Sequence, residues 1–136
     1  MRTFLILLIF PLLTACSSVT ARRNPALDIS QYKRFYVEQR LNDNNSTGAL
    51  IAADLRARGY EAGHGPLTMM PDDAQVLVTY DARWTWDFRS YLIDLNITAA
   101  LPHSNKLVAT GSYHQPGIRP KAAAKMIAAL LDEMLQ

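Results

Sequence analysis

Two consecutive segments alternate apolar and polar side chains so strictly that they leave the chain few ways to fold. In residues 74–87, Val76, Val78, Tyr80, Ala82, Trp84 and Trp86 share one face, while Gln75, Thr79, Asp81, Arg83 and Thr85 share the other. In residues 91–101, Tyr91, Ile93, Leu95, Ile97, Ala99 and Leu101 alternate in the same way. Strict alternation of this kind marks strands that bury one side only. A four-residue turn at 87–90 pairs Trp86 with Tyr91, Trp84 with Ile93, Ala82 with Leu95, Tyr80 with Ile97 and Val78 with Ala99. Each of those pairs is apolar on both sides. The same register sets Arg83 against Asp94 and Thr79 against Thr98, cross-strand pairs that each stabilise by roughly 0.2–1 kcal/mol. A slip of one residue would spoil both faces.

A third strand over residues 106–114 completes a meander. It sets Leu101 opposite Leu107, Ile97 opposite Gly111, Leu95 opposite Tyr113, Thr98 opposite Thr110 and Asp94 opposite His114. Upstream, residues 32–39 read as a first strand, and residues 42–46 (NDNNS) form a turn cluster. Ser46 or Thr47 caps a helix running to about Arg58, with Ile51, Ala52 and Leu55 as its apolar stripe and Gly59 in the left-handed position after it. Tyr60 opens a short strand, and Gly63, Gly65, Pro66 and Pro71 mark a long loop. Pro120 suits the first turn of a last helix, whose stripe is Ala123, Met126, Ile127, Leu130, Leu131 and Met134. In that helix Lys121 and Lys125 sit near the positive end of the dipole and Asp132 and Glu133 near the negative end, against the usual preference. The expected fold is α+β: a mostly antiparallel sheet of four to five strands, with two helices packed on one face and the other face polar and open.

The N-terminus adds a different kind of constraint. Met1-Arg2-Thr3 is a short positive start, and Phe4 to Leu13 is apolar except for Pro11. That length fits a signal-peptide core of about 7–15 residues and is too short for a membrane span of about 20. Leu13-Thr14-Ala15 then precedes Cys16, the only cysteine. The ending resembles a bacterial lipoprotein signal with its lipobox. The resemblance implies cleavage before Cys16 and lipidation of its sulfur and amino group, with a lipid anchor that holds the protein at the membrane. Ser17, rather than Asp, resembles outer-membrane sorting, with the domain facing the periplasm. The chain then divides into a signal at 1–15, a lipidated cysteine and polar tether at 16–27, and one domain at 28–136. A tether from Ser17 to about Asn24 reaches at most about 30 Å. A lipidated Cys16 leaves no thiol for a disulfide.

Composition and motifs narrow the chemistry. A net charge of +2 gives no reason to invoke nucleic acid. There is no G-x-S-x-G elbow, and Ser112 falls within a strand. His64, His103 and His114 lack metal-ligand spacing partners, so neither a metal nor another cofactor is expected. Gly63-His64-Gly65 lacks the Lys-Ser/Thr ending of a phosphate loop. The sharper constellation is Arg83, Asp94 and His114, aligned across three strands. A carboxylate beside a histidine orients the ring, and the row reads as a solvated set of compatible charges, a ligand-contact patch or a weak pH sensor. The second feature is aromatic. Tyr80, Trp84, Trp86 and Tyr91 lie on the apolar face and Phe88 in the turn, mostly as core. However, a strand of about 14 residues spans roughly 45 Å, whereas a helix of about 16 covers only about 24 Å. The tip therefore overhangs the helices and is a candidate partner or lipid contact.

With the lipobox, the 32–39 strand, the LRARGY stretch at 55–60, the DDAQVLVTY strand entry at 72–80 and the meander in place, the chain resembles a family of small Gram-negative outer-membrane lipoproteins whose domain has no assigned function. The layout is similar at fold level to the lipoprotein that plugs the lipopolysaccharide-assembly barrel, although this chain has few basic residues on the meander. The resemblance carries over no catalytic residues. The expected role is a non-enzymatic accessory or assembly subunit of an envelope complex. The alternative is a small-ligand or lipid-binding periplasmic module.

Overall fold

The computed structural model describes residues 17–136; Leu13, Thr14, Ala15 and Cys16, with the rest of the expected signal, lie outside the described residues. Six strands form one open sheet: β1 (Ser18–Arg23), β2 (Arg34–Glu38), β3 (Glu61–Gly65), β4 (Val76–Trp86), β5 (Ser90–Ala100) and β6 (Leu107–His114). Helix α1 (Thr47–Ala57) joins β2 to β3, and α2 (Ala123–Leu135) ends the chain. The strand order is β1-β6-β5-β4-β2-β3. The meander and β1 pair antiparallel, while β2 pairs parallel with both β3 and β4. The sheet is thus mixed and six-stranded, not the four- to five-stranded, mostly antiparallel sheet expected.

The extra strand is the expected tether. Residues 18–23 pair with β6 along their whole length, from Ser18 opposite His114 to Arg23 opposite Ala109. Val19 and Ala21 point inward at a period of two and pack against the core. A short polar stretch with two small inward residues reads as a tether by composition, yet it satisfies the otherwise open edge of β6. The short strand expected from Tyr60 is β3, which runs on through Gly63, His64 and Gly65, where a loop was expected, and forms a parallel edge strand.

The central hairpin keeps the expected register from Val78–Ala99 to Arg83–Asp94. A bulge then shifts it by one residue. Trp84 lies opposite Leu92, Thr85 opposite Tyr91 and Trp86 opposite Ser90, so the Trp84–Ile93 and Trp86–Tyr91 pairs are replaced. Ile93 is the extra residue, and the shift turns Leu92 to the core and Tyr91 to the opposite face. The turn consequently shortens to 87–89, with Phe88 at φ 59°. A second bulge beyond Ala99 sets Ala100, rather than Leu101, opposite Leu107. Bulges of this kind increase local twist and re-aim side chains.

Both helices pack on the same face. Ile51, Ala52 and Leu55 of α1 and Met126, Ile127, Leu130, Leu131 and Met134 of α2 meet Val37, Val78, Leu95, Ile97 and Tyr113 in one buried cluster. At Gly111 a Cβ would come 2.7 Å from Leu130 Cδ1 and 2.8 Å from Met134 Sδ, so the glycine lets α2 approach the sheet closely. Gly59 takes the expected left-handed position after α1, at φ 93°. Helix α2 begins only at Ala123, which leaves Pro120 in the preceding loop.

Asp43, rather than Ser46 or Thr47, caps α1. Its carboxylate accepts from the backbone N–H of Thr47 (2.8 Å) and Gly48 (2.9 Å), and from Tyr80 Oη–H at 2.6 Å. Tyr80, 4% exposed, also accepts from the Arg40 N–H at 3.1 Å. Burial and then the Asp43 hydrogen bond push the Tyr80 pKa up to about 12. Burial alone would raise the Asp43 pKa, but the hydrogen bonds from Tyr80, Gly48 and Thr47 outweigh it and hold the carboxyl below its usual range. Arg58 provides the other polar tie. It donates to Asp54 Oδ1 (2.6 Å) in α1 and to Asp132 Oδ1 (2.6 Å) and the Ala128 carbonyl (2.8 Å) in α2. Asp132, misplaced for the helix dipole, is thereby explained as a partner of Arg58.

Tyr80→Phe takes one of three donors from Asp43 and the acceptor from the Arg40 N–H, and should lower unfolding free energy by about 1–3 kcal/mol in urea titrations. The native Tyr80 pKa is raised, so its contribution is present below about pH 10 and declines as pH rises toward 12; Tyr80→Phe should flatten that decline. For Asp43 the sign is opposite: its contribution is present above about pH 4 and is lost as pH falls through the lowered native pKa. Arg58→Met should cost about 1–3 kcal/mol, whereas Asp132→Ala, at an exposed carboxylate, should cost less than about 1 kcal/mol.

Candidate functional site

The face away from the helices is polar and open across β1, β6, β5 and β4. Because β1 extends the sheet, the expected three-residue row becomes four residues long: Ser18, His114, Asp94 and Arg83 lie at one level. His114 Nδ1 lies 2.5 Å from Asp94 Oδ1, and Arg83 Nε donates to Asp94 Oδ2 at 2.6 Å. The His114 hydrogen bond is the largest cause that holds the Asp94 carboxyl below its usual range; burial opposes it, and the hydrogen bond and charge of Arg83 add to the lowering. A second row aligns Thr20, Ser112, Asn96 and Asp81, in which Ser112 Oγ donates to Asn96 Oδ1 at 2.5 Å. A third aligns Arg22, Thr110, Thr98 and Thr79. The concavities here are shallow grooves, one between Arg83, Asp94 and Asn96 and another between Thr20, Arg22, Thr110 and Ser112.

At the far side of this face the chain covers itself. The 3-10 turn Leu67–Met69 folds back over the sheet, and Tyr36 Oη donates to the Pro66 carbonyl at 2.8 Å. Tyr36 is buried as a result, even though it points away from the helices. Among the described residues, no three His, Cys, Asp or Glu side chains converge as a metal site.

The aromatic residues separate into two groups. Trp84 is partly buried, packs against the core and donates from Nε1 to Thr47 Oγ1 at 3.2 Å, which ties β4 to the start of α1. Trp86 is 72% exposed and Phe88 94% exposed, with ring centroids 6.4 Å apart. Tyr91 is half-buried and sits beside the 115–122 loop: a Cβ on Gly117 would lie 2.8 Å from its Oη. That loop is strapped to β5 by Gln115, a residue that sequence patterning did not single out. Buried Gln115 donates from Nε2 to the carbonyls of Leu92 (2.7 Å) and Lys121 (3.1 Å) and accepts from the Lys121 N–H (2.9 Å). The alternation of Ser18, Thr20 and Arg22 with Val19 and Ala21 was the available sign that β1 would extend the polar face.

Comparison with known proteins gives a fold and no family. No protein-family model matches the chain, and no curated protein matches it. Among solved structures, the PelC dodecamer from Paraburkholderia phytofirmans is similar at a TM-score of 0.64, with 15% identity, over 87% of this chain and 96% of that one. A DUF4136 family protein from Bacteroides thetaiotaomicron is similar at 0.55, with 8% identity, over 86% and 93%. A PDZ domain protein from Parabacteroides distasonis is similar at 0.51, with 7% identity, over 87% of this chain and 35% of that one. These likenesses establish a shared α+β fold.

The charge row leads to a direct expectation. Carboxylate NMR titration should show Asp94 with a midpoint below the ordinary aspartate range, and His114→Ala should move it back upward. Unfolding free energy should change by less than about 1 kcal/mol in Asp94→Asn, because the row is solvent-exposed.

Proposed function

We propose that this protein is a lipid-anchored outer-membrane lipoprotein, facing the periplasm, that serves as a non-enzymatic accessory or assembly subunit of an envelope complex. The observation that carries this reading is the four-strand polar face, bounded on one side by the unpaired edge of β1. It is a broad, shallow, hydrogen-bonding surface, better matched to another macromolecule than to an enclosed small molecule. The outer edge of β1 also offers backbone groups for strand addition. The lipobox at Leu13, Thr14, Ala15 and Cys16 supports the anchor. The fold likeness to PelC, whose structure is described as a dodecamer, supports assembly as a mode of action for this fold.

Crosslinking the lipidated, tagged protein in native cells, followed by mass spectrometry, tests the proposal. One reproducible envelope protein, or a ladder of this chain's own multimers, is expected. Arg83→Glu combined with Thr20→Arg should reduce that capture several-fold while leaving the domain folded. Capture of only generic abundant proteins would reject the assembly reading and favour the small-ligand or lipid-binding alternative.

A further inference from the structure

We infer that the Trp86–Phe88 hairpin tip, with Ile118 beside it, docks into the phospholipid surface that holds the Cys16 anchor. This rests on the lipoprotein reading above and adds an orientation to it. The argument is one of register. Ser18, the first residue of β1, lies level with Arg83 through His114 and Asp94. Cys16 precedes Ser18 by two residues, which limits their separation to about 7 Å. Strand β4 runs on past Arg83 to Trp86, roughly 10 Å at strand rise. The attachment point and the aromatic tip therefore belong to the same end of the sheet, and β1 leaves no slack between the lipid and the fold.

The side chains at that end suit a lipid interface. Trp86 and Phe88 are exposed next to each other, and Ile118 is 75% exposed in the adjoining loop. The Gln115 strap and the Tyr91–Gly117 contact hold that loop against the hairpin. Tryptophan is favoured at membrane–water boundaries because it combines an apolar ring with an N–H donor. Arg89 is exposed on the turn beside Asp87, and Arg119 and Lys121 are exposed in the strapped loop, so the net charge of turn and loop complements anionic headgroups. Behind the tip, the polar row of Ser18, His114, Asp94 and Arg83 limits how deeply it can enter.

The test uses the full lipidated protein in phosphatidylethanolamine–phosphatidylglycerol vesicles, with plain or brominated acyl chains. The chain has two tryptophans, Trp84 in the core region and Trp86 at the tip. Brominated lipid should quench part of the wild-type emission, and Trp86→Phe, at an exposed site that should not disturb folding, should abolish that quenching. Phe88→Ser should reduce it. Equal emission in the two kinds of vesicle, from protein whose intact mass carries the lipid, would overturn docking and leave the anchor reading standing. An intact mass without lipid would overturn both.

Discussion

The pairing of β4 with β5 governs what can be buried in this domain. Those two strands hold the centre of the sheet, and their alternation allows one dry face only. Once Ala82–Leu95 and Tyr80–Ile97 are paired, Arg83, Asp94 and Asn96 must face away from the core. Both helices are then confined to the same side, and α1 and α2 have to share the apolar surface and meet each other. The open polar face is a consequence of that pairing, not an independent feature. The bulge falls between Arg83 and Trp84, and Trp84 still reaches the first turn of α1 through Thr47. Beyond it, the strand pair carries Leu92 into the core while Trp86 leaves it.

Polar ties at the helix ends make the packing specific. An apolar stripe would tolerate some sliding of α1 along the sheet. The hydrogen bonds from Tyr80 and the first-turn amides to Asp43 fix where α1 begins. Arg58 fixes how its end meets α2. Each tie includes a bond between residues far apart in sequence, Asp43 with Tyr80 and Arg58 with α2, so its completion reports that distant parts of the fold are in place. Leaving one partner without the other costs more than the bond contributes net, since a buried or half-buried polar group would then lack its counterpart.

Long alternating segments were readable because a period of two over many residues has few competing explanations. The hairpin register up to Arg83–Asp94, the Asp94–His114 pairing and the two helix stripes follow from that pattern. What escaped has local physical reasons. Strand β1 is short and its inward residues are only Val19 and Ala21, so its stability comes from pairing with β6 rather than from its own pattern. Bulges leave composition unchanged, and Ile93 looks like any other apolar strand residue. Asp43 and Tyr80 were each visible, one in a turn cluster and one in an apolar stripe, but their meeting depends on tertiary approach. Within the candidate site, the charge row was legible because it lies in the regular part of the register. Its extension to Ser18 was not, because it depends on β1.

The absence of a spacer between Cys16 and the sheet bears on how such a protein could find its partners. A lipoprotein with a long flexible leader samples a hemisphere of positions and orientations. Here the fold begins at Ser18, so a lipid on Cys16 would confine the domain to the layer next to the bilayer and sharply restrict its tumbling. Encounter would then become a two-dimensional search among molecules already in or on the same membrane. A component on the opposite side of the periplasm would have to reach across to it.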